Sequence, residues 1–192
     1  MIIGVTGSFG SGKTTVANLF KKYNFKVINV DKVYGSIYKK NKLLRIKLKK
    51  EFGTVNRNKL KKIVFNSSIQ LKRLNKITHP LILKQTIKRI KKIQSKNKNE
   101  NIAIDIPLLI EAKAANLVDK IIVVKCSRNI QIKRVLNKKK KYSKEEIKNI
   151  TKSQMPLKEK LKYADYVVDN SYSLDKTKKQ VKKIADELKT FK

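Results

Sequence analysis

One cysteine in 192 residues excludes an intramolecular disulfide and suits a reducing cytosol. Cys126 closes an apolar run, where a small buried hydrophobe is the simpler role. Long hydrophobic runs are missing too. The purely aliphatic stretches last only a few residues, far short of a membrane span, so no membrane association is expected. The apolar start has no basic stretch before it and runs straight into a glycine-rich segment, which argues against a signal peptide and for a cytoplasmic location. Acidic residues are scarce: 14 Asp and Glu face 49 Lys and Arg, a net charge of +35. Three readings of that excess compete. A basic surface binds nucleic acid by releasing counterions, a positive field draws in anionic substrates, and abundant Lys, Asn and Ile together mark a chain encoded by an AT-rich genome. The lysines run through nearly every helix and loop with almost no aromatic residues between them to stack bases. The compositional reading, helped by the positive field, is therefore preferred over nucleic-acid binding, and a monomer is expected. A hydrophobic content of 40% supports a folded core, and the length fits one domain with room for an inserted subdomain.

Glycine is also rare, yet four of the six glycines fall between positions 4 and 12. The stretch Gly7-Ser8-Phe9-Gly10-Ser11-Gly12-Lys13-Thr14 satisfies the Walker A pattern G-x-x-x-x-G-K-[ST] at every fixed position. Apolar residues from Met1 to Val5 precede it as a buried strand. Val16, Leu19, Phe20 and Tyr23 follow it at helical spacing. Glycines let a backbone curl so that successive N–H groups face an anion, and the helix start adds its dipole. Lys13 would sit beside the β- and γ-phosphates, and the Thr14 hydroxyl would join a Mg²⁺ shell. A glycine turn that merely joins strand to helix is the bland alternative, and the concentration of glycines weighs against it.

Phe25 to Asp31 reads as a second strand ending in a carboxylate. In open α/β sheets ligands bind at the carboxyl ends of strands, so Asp31 should face the glycine loop and could take the proton of an attacking hydroxyl. Asp31 could equally cap the next helix; the two roles are compatible. From there to about residue 98 the pattern is helical and basic. Leu43 to Leu48 suggest one helix stopped by Phe52-Gly53. Asn56 opens a second and Ser67-Ser68 a third, which Pro80 should end at His79 with a bend before another helix from Leu81 to Ile93. So long a helical stretch between strands looks like a substrate-binding insertion or lid. His79, a lone histidine before proline, is more often structural than catalytic.

Ile102 to Ile106 is a third strand stopped by Pro107. Asp105 lies where a Walker B carboxylate would hold Mg²⁺ through water, or where a polar residue caps a turn. Lys120 to Lys125, continuous and β-branched, suits a buried parallel strand. Asn129 to Leu136 form a helix carrying Gln131 and Arg134, and the basic run Asn137 to Ser143 either closes over phosphates or is a solvated loop. Ser143 and Glu146 have capping-box spacing. Ala164 to Asn170 form a fifth strand, and Leu174 to Leu188 an amphipathic helix. Strands alternating with helices predict a doubly wound α/β sheet.

In order and spacing these residues resemble the dephospho-coenzyme A kinase family from end to end. The family's loop reads T-G-G-I-G-S-G-K-[ST], matched by Thr6 to Thr14, and its I-D-A-D by Ile28-Asn29-Val30-Asp31. Phe52-Gly53, Arg57 with Leu60, Leu74-Asn75, His79-Pro80, Asp105 to Glu111, Gln131 with Arg134, Gln154 and Ala164 to Asn170 also match. The resemblance implies a P-loop NTPase three-layer sandwich with a five-stranded parallel sheet. Its core would span about 1–31 and 100–192, its coenzyme-binding insertion about 32–98 and its lid about 134–155. It implies phosphorylation of the ribose 3′-hydroxyl of dephospho-coenzyme A by ATP with Mg²⁺, the last step of coenzyme A synthesis. Gly7, Gly10, Ser11, Gly12, Lys13, Thr14 and Thr15 would bind ATP, and Thr14 and Asp105 the metal. Asp31 would be the base, with Lys13, Arg134 and Lys138 completing the catalytic set. Asp31, Arg57, His79, Pro107 and Leu108 would meet the acceptor. The chain departs from the family at three positions. Ser8 replaces a glycine, tolerable unless φ is positive there. Asn29 replaces the first Asp and removes a charge beside the proposed base. Lys138 stands where a second lid Arg is usual, keeping charge but losing the planar fork.

Overall fold

The computed structural model describes residues 1–138 and 143–190. Five strands, β1 (Ile2–Gly7), β2 (Phe25–Asn29), β3 (Asn101–Asp105), β4 (Lys120–Lys125) and β5 (Tyr166–Asp169), form one sheet in the order β2-β3-β1-β4-β5. Every neighbouring pair is parallel. Parallel strands need crossovers, and the helices that supply them cover both faces. Successive residues of β4 therefore serve two cores. Ile121 and Val123 pack with Ile28, Val33, Leu44 and Leu48 on one face. Ile122 and Val124 pack with Val16, Phe20, Val181 and Leu188 on the other. That double burial is why the strand reads as an unbroken apolar run. The result is the expected three-layer α/β sandwich.

The helices are α1 (Lys13–Leu19), α2 (Val30–Lys40), α3 (Lys42–Phe52), α4 (Arg57–Phe65), α5 (Ser68–Gln94), α6 (Arg128–Lys138), α7 (Lys144–Lys152), α8 (Leu157–Leu161) and α9 (Leu174–Lys189). Abundant asparagine has a local use here. The side chains of Asn29, Asn41 and Asn56 accept from backbone N–H groups at the starts of α2, α3 and α4. Ser67 caps α5, and Ser143 with Glu146 closes a full capping box on α7. Gly53, at φ 66°, ends α3.

Two expectations are corrected. The second strand stops at Asn29, so Asp31 lies in the first turn of α2 and the cap is Asn29, which accepts from Lys32 N–H at 2.8 Å. The helix expected to end before Pro80 instead runs unbroken for 27 residues as α5. An interior proline costs about 3 kcal/mol of helix stability. Here Leu74, Ile77, Leu81, Ile82, Ile90 and Ile93 all pack into the core that α2 to α4 share. Five of the six are only partly buried, yet even at about half of the roughly 1.5–3 kcal/mol of a fully buried side chain their sum outweighs one lost backbone bond. The short helix α8 carries no amphipathic signal long enough to read in advance. Among the described residues no helix is long and apolar enough to cross a membrane.

Candidate functional site

The loops after β1 and β3 leave the same edge of the sheet, and the site is built between them. Gly7 at φ 146° and Gly12 at φ 91° take conformations that side-chain-bearing residues rarely adopt. Space forbids a side chain as well. A Cβ on Gly7 would lie 2.2 Å from the Val124 carbonyl oxygen, and one on Gly12 would lie 2.1 Å from Asn170 Nδ2. Positive φ among the described non-glycine residues falls at Asn24 and Lys113, so Ser8 sits in ordinary backbone and its replacement of glycine costs no strain. Ser11, buried in the loop, and Thr15, in the first turn of α1, complete the predicted ATP-binding run.

Lys13 folds back over the loop and donates from Nζ to the Ser8 carbonyl at 2.9 Å. It is 8% exposed. Burial lowers its pKa from 10.5 to about 8; Asp105, Asp31 and Glu111 pull it back up, while Lys160 pushes it further down. Because the folded value lies below the unfolded one, the ammonium is lost as pH rises through about 8 in the ligand-free protein. Phosphate charge placed beside Nζ favours the ammonium and restores the proton. Nucleotide binding at pH 8 should therefore take up roughly half a proton, falling toward zero at pH 6.5. Calorimetry in buffers of different ionisation enthalpy reads that uptake directly. Equal heats in all buffers at pH 8 would show that Lys13 takes up no proton when the nucleotide binds.

Thr14 Oγ1 donates to Asp105 Oδ2 at 2.6 Å, and Asn29 Nδ2 donates to the same oxygen at 2.6 Å. Burial raises the Asp105 pKa, opposed by Thr14, Lys13 and Asn29. Hard oxygens from a hydroxyl and a carboxylate, side by side under a phosphate loop, fit Mg²⁺ held mostly by water and phosphate. Among the described residues no group of three or more His, Cys, Asp or Glu is placed to hold a metal ion. The role of Asn29 was not legible in the sequence: its amide oxygen caps α2 while its nitrogen steadies Asp105.

Arg134 Nη1 donates to the Asn170 carbonyl at 2.6 Å and would lie 3.9 Å from a Cβ on Gly12, so its charge stands at the loop. Asn170, 5% exposed, donates to the Ser11 carbonyl at 2.8 Å and accepts from Thr177 Oγ1 at 2.9 Å. It is a brace that only its position at the end of a strand could have suggested. Lys138 ends α6, and its side chain lies outside the described residues, as do Lys139 to Tyr142 of the basic run.

A cleft of about 540 Å³ adjoins the loop. It gathers all five residues expected at the acceptor: Asp31, Arg57, His79, Pro107 and Leu108. Arg57 lies over the rings of Tyr34 and Tyr38, 5.7 and 4.5 Å from their centroids, held as a cation on an aromatic ledge. Burial lowers the His79 pKa, partly offset by Glu111. The Pro107 carbonyl accepts from Thr6 Oγ1 at 3.1 Å and from Lys160 Nζ at 3.0 Å. Lys160 is fully buried and pairs with Glu111 at 2.9 Å. Sequence reading passed over it, as one lysine among very many carries no signal.

Comparison with known proteins decides which phosphate-loop family this is. A sequence model of dephospho-CoA kinase matches residues 1–176. The chain belongs to the dephospho-CoA kinase family. It is 39% identical to the dephospho-CoA kinase of Carboxydothermus hydrogenoformans, over 94% of this chain and 90% of that one. The solved dephospho-CoA kinase of Campylobacter jejuni superposes with a TM-score of 0.67 at 28% identity, over 97% of this chain and 96% of that one. Shikimate kinase from Bacteroides thetaiotaomicron, at 14% identity and a TM-score of 0.54 over 98% of both chains, shares the fold alone.

Proposed function

We infer that this protein transfers the γ-phosphoryl group of ATP to the ribose 3′-hydroxyl of dephospho-coenzyme A, completing coenzyme A synthesis. The observation that carries the inference is the single cleft that brings Asp31, Arg57, His79 and Pro107 together beside the phosphate loop. Loop amides from Gly7 to Thr15 and the Lys13 ammonium hold the β- and γ-phosphates. Thr14 and Asp105 are the residues that would hold Mg²⁺, which when bound spreads the charge of the phosphate oxygens. Asp31 orients the acceptor hydroxyl and accepts its proton as the oxygen attacks phosphorus. Arg134 places positive charge where negative charge grows at the loop, and Lys138 is its proposed companion. Arg57 offers a fixed cation to an acceptor that is itself a diphosphate. The wider positive charge raises the local concentration of both anionic substrates.

The test is turnover by the purified protein of Mg²⁺-ATP with dephospho-coenzyme A, with adenosine, AMP and cytidylate run alongside. Coenzyme A should form in a Mg²⁺-dependent reaction, and the others should react about 10²-fold more slowly or worse, since a site built to pair polar groups rejects acceptors that lack them. Turnover on one of the others without coenzyme A formation would keep the phosphate site and overturn the acceptor.

A further inference from the structure

Phe9 belongs to two sites at once. Its backbone lies within the phosphate loop, and the residue also lines the acceptor cleft. Both of its backbone polar groups are engaged by side chains from distant parts of the chain. Its N–H donates to Gln154 Oε1 at 2.8 Å, 145 residues away. Its carbonyl accepts from Gln131 Nε2, 122 residues away. Gln131 is 7% exposed on α6, and α6 presses directly on the loop, because a Cβ on Gly10 would meet Val135 Cγ2 at 2.5 Å and Gln131 Cγ at 3.1 Å. Gln154 follows α7 and lines the acceptor cleft together with Phe9. α6 and α7 pack against each other.

This arrangement has a mechanical consequence. The peptide planes on either side of Phe9 are set by two side chains, so the amides that follow, from Gly10 to Lys13, inherit their aim from α6 and from the segment after α7. An occupant of the cleft that touches Gln154 or the Phe9 ring acts on the same two planes. We propose that Gln154, with Gln131 opposite, is a positioning residue that couples occupancy of the acceptor cleft to the aim of the phosphate-loop amides through Phe9. The proposal rests on the reading of that cleft as the acceptor site.

The coupling is measurable as a ratio of affinities. Adenylyl imidodiphosphate with Mg²⁺ would be titrated into wild type, Gln154→Ala and Gln154→Glu by calorimetry, with and without saturating dephospho-coenzyme A. In wild type the acceptor should tighten the nucleotide analogue about 5- to 150-fold, the usual range for coupled sites. Gln154→Ala should bring that ratio to within about twofold of one. Gln154→Glu still offers an oxygen to the Phe9 N–H and should keep the ratio even where its added charge weakens both affinities. A merely structural contact would weaken both affinities and leave the ratio unmoved. If Gln154→Ala does not fold, Gln131→Met removes the other anchor and must lower the ratio. An unchanged ratio in the alanine variant, a lost ratio in the glutamate variant, or a wild type that binds both ligands without coupling would each overturn the proposal. A wild type that binds the nucleotide but no dephospho-coenzyme A would overturn the acceptor assignment itself, and the coupling with it.

Discussion

Asp31→Asn is expected to lower kcat about 10²- to 10⁴-fold, the contribution of a positioned general base, while leaving the KM for ATP within about twofold. Asp31 lines the proposed acceptor cleft from the first turn of α2, and its charge reaches both Lys13 and Asp105. It makes no use of its carboxylate as the helix cap, since Asn29 does that work. An asparagine of the same size therefore removes the base without unpicking the helix. The carboxylate also favours the N-terminal dipole of α2, worth about 0.3–1 kcal/mol, so a small loss of stability should accompany the change. Steady-state kinetics and a urea melt on the same preparation separate the two contributions. A variant with wild-type kcat would remove Asp31 from the chemistry and leave it a dipole partner only.

Lys160→Met should destabilise the fold by about 3–5 kcal/mol, the cost of leaving one partner of a buried ion pair without the other. Lys160 is fully buried, and its ammonium satisfies both Glu111 Oε1 at 2.9 Å and the Pro107 carbonyl at 3.0 Å. Glu111 Oε1 also accepts from Met155 N–H at 3.0 Å, so the pair ties the turn after β3 to the segment that leads into α8. Methionine fills the same channel without charge and strands the carboxylate. Pairing it with Glu111→Leu should recover most of the loss, because replacing a buried pair by apolar groups is often close to neutral. Lys162 gives the contrast. Its side chain is 63% exposed and pairs with Glu159 one helical turn away. Lys162→Met should change stability by less than about 1 kcal/mol. Urea denaturation of wild type and the three variants checks the set, and equal losses for Lys160→Met and Lys162→Met would show that the buried pair contributes nothing special.

The two lysines illustrate where sequence reading stops. Both lie in the same stretch of alternating charge, and no local pattern distinguishes them. Burial is a property of what packs around a residue, and for Lys160 that is the Pro107 turn, 53 residues away. The same limit explains Asn29, Asn170, Gln131 and Gln154, each of which bonds to a partner at least 76 positions distant. Pro80 shows the limit from the other side. A strong local rule predicted a break, and the apolar face of α5 overrode it.

Chemistry that depends on consecutive residues was legible from the chain alone. The phosphate loop needs glycines, a lysine and a hydroxyl at fixed spacing because one short backbone curl must wrap one anion. Alternation of apolar strands with amphipathic helices specified a parallel sheet, since only a crossover can join parallel neighbours. The sequence by itself thus determined the fold class and the glycine curl after the first strand, and its resemblance to a family named the residues proposed for the acceptor side. Tertiary structure alone decided that Asp31, Arg57 and His79 share one cleft, that Asn29 rather than Asp31 caps α2, and that a single lysine among many is buried. Those outcomes depend on which distant surfaces meet, and contacts between them are set by packing over the whole domain, which local periodicity does not encode.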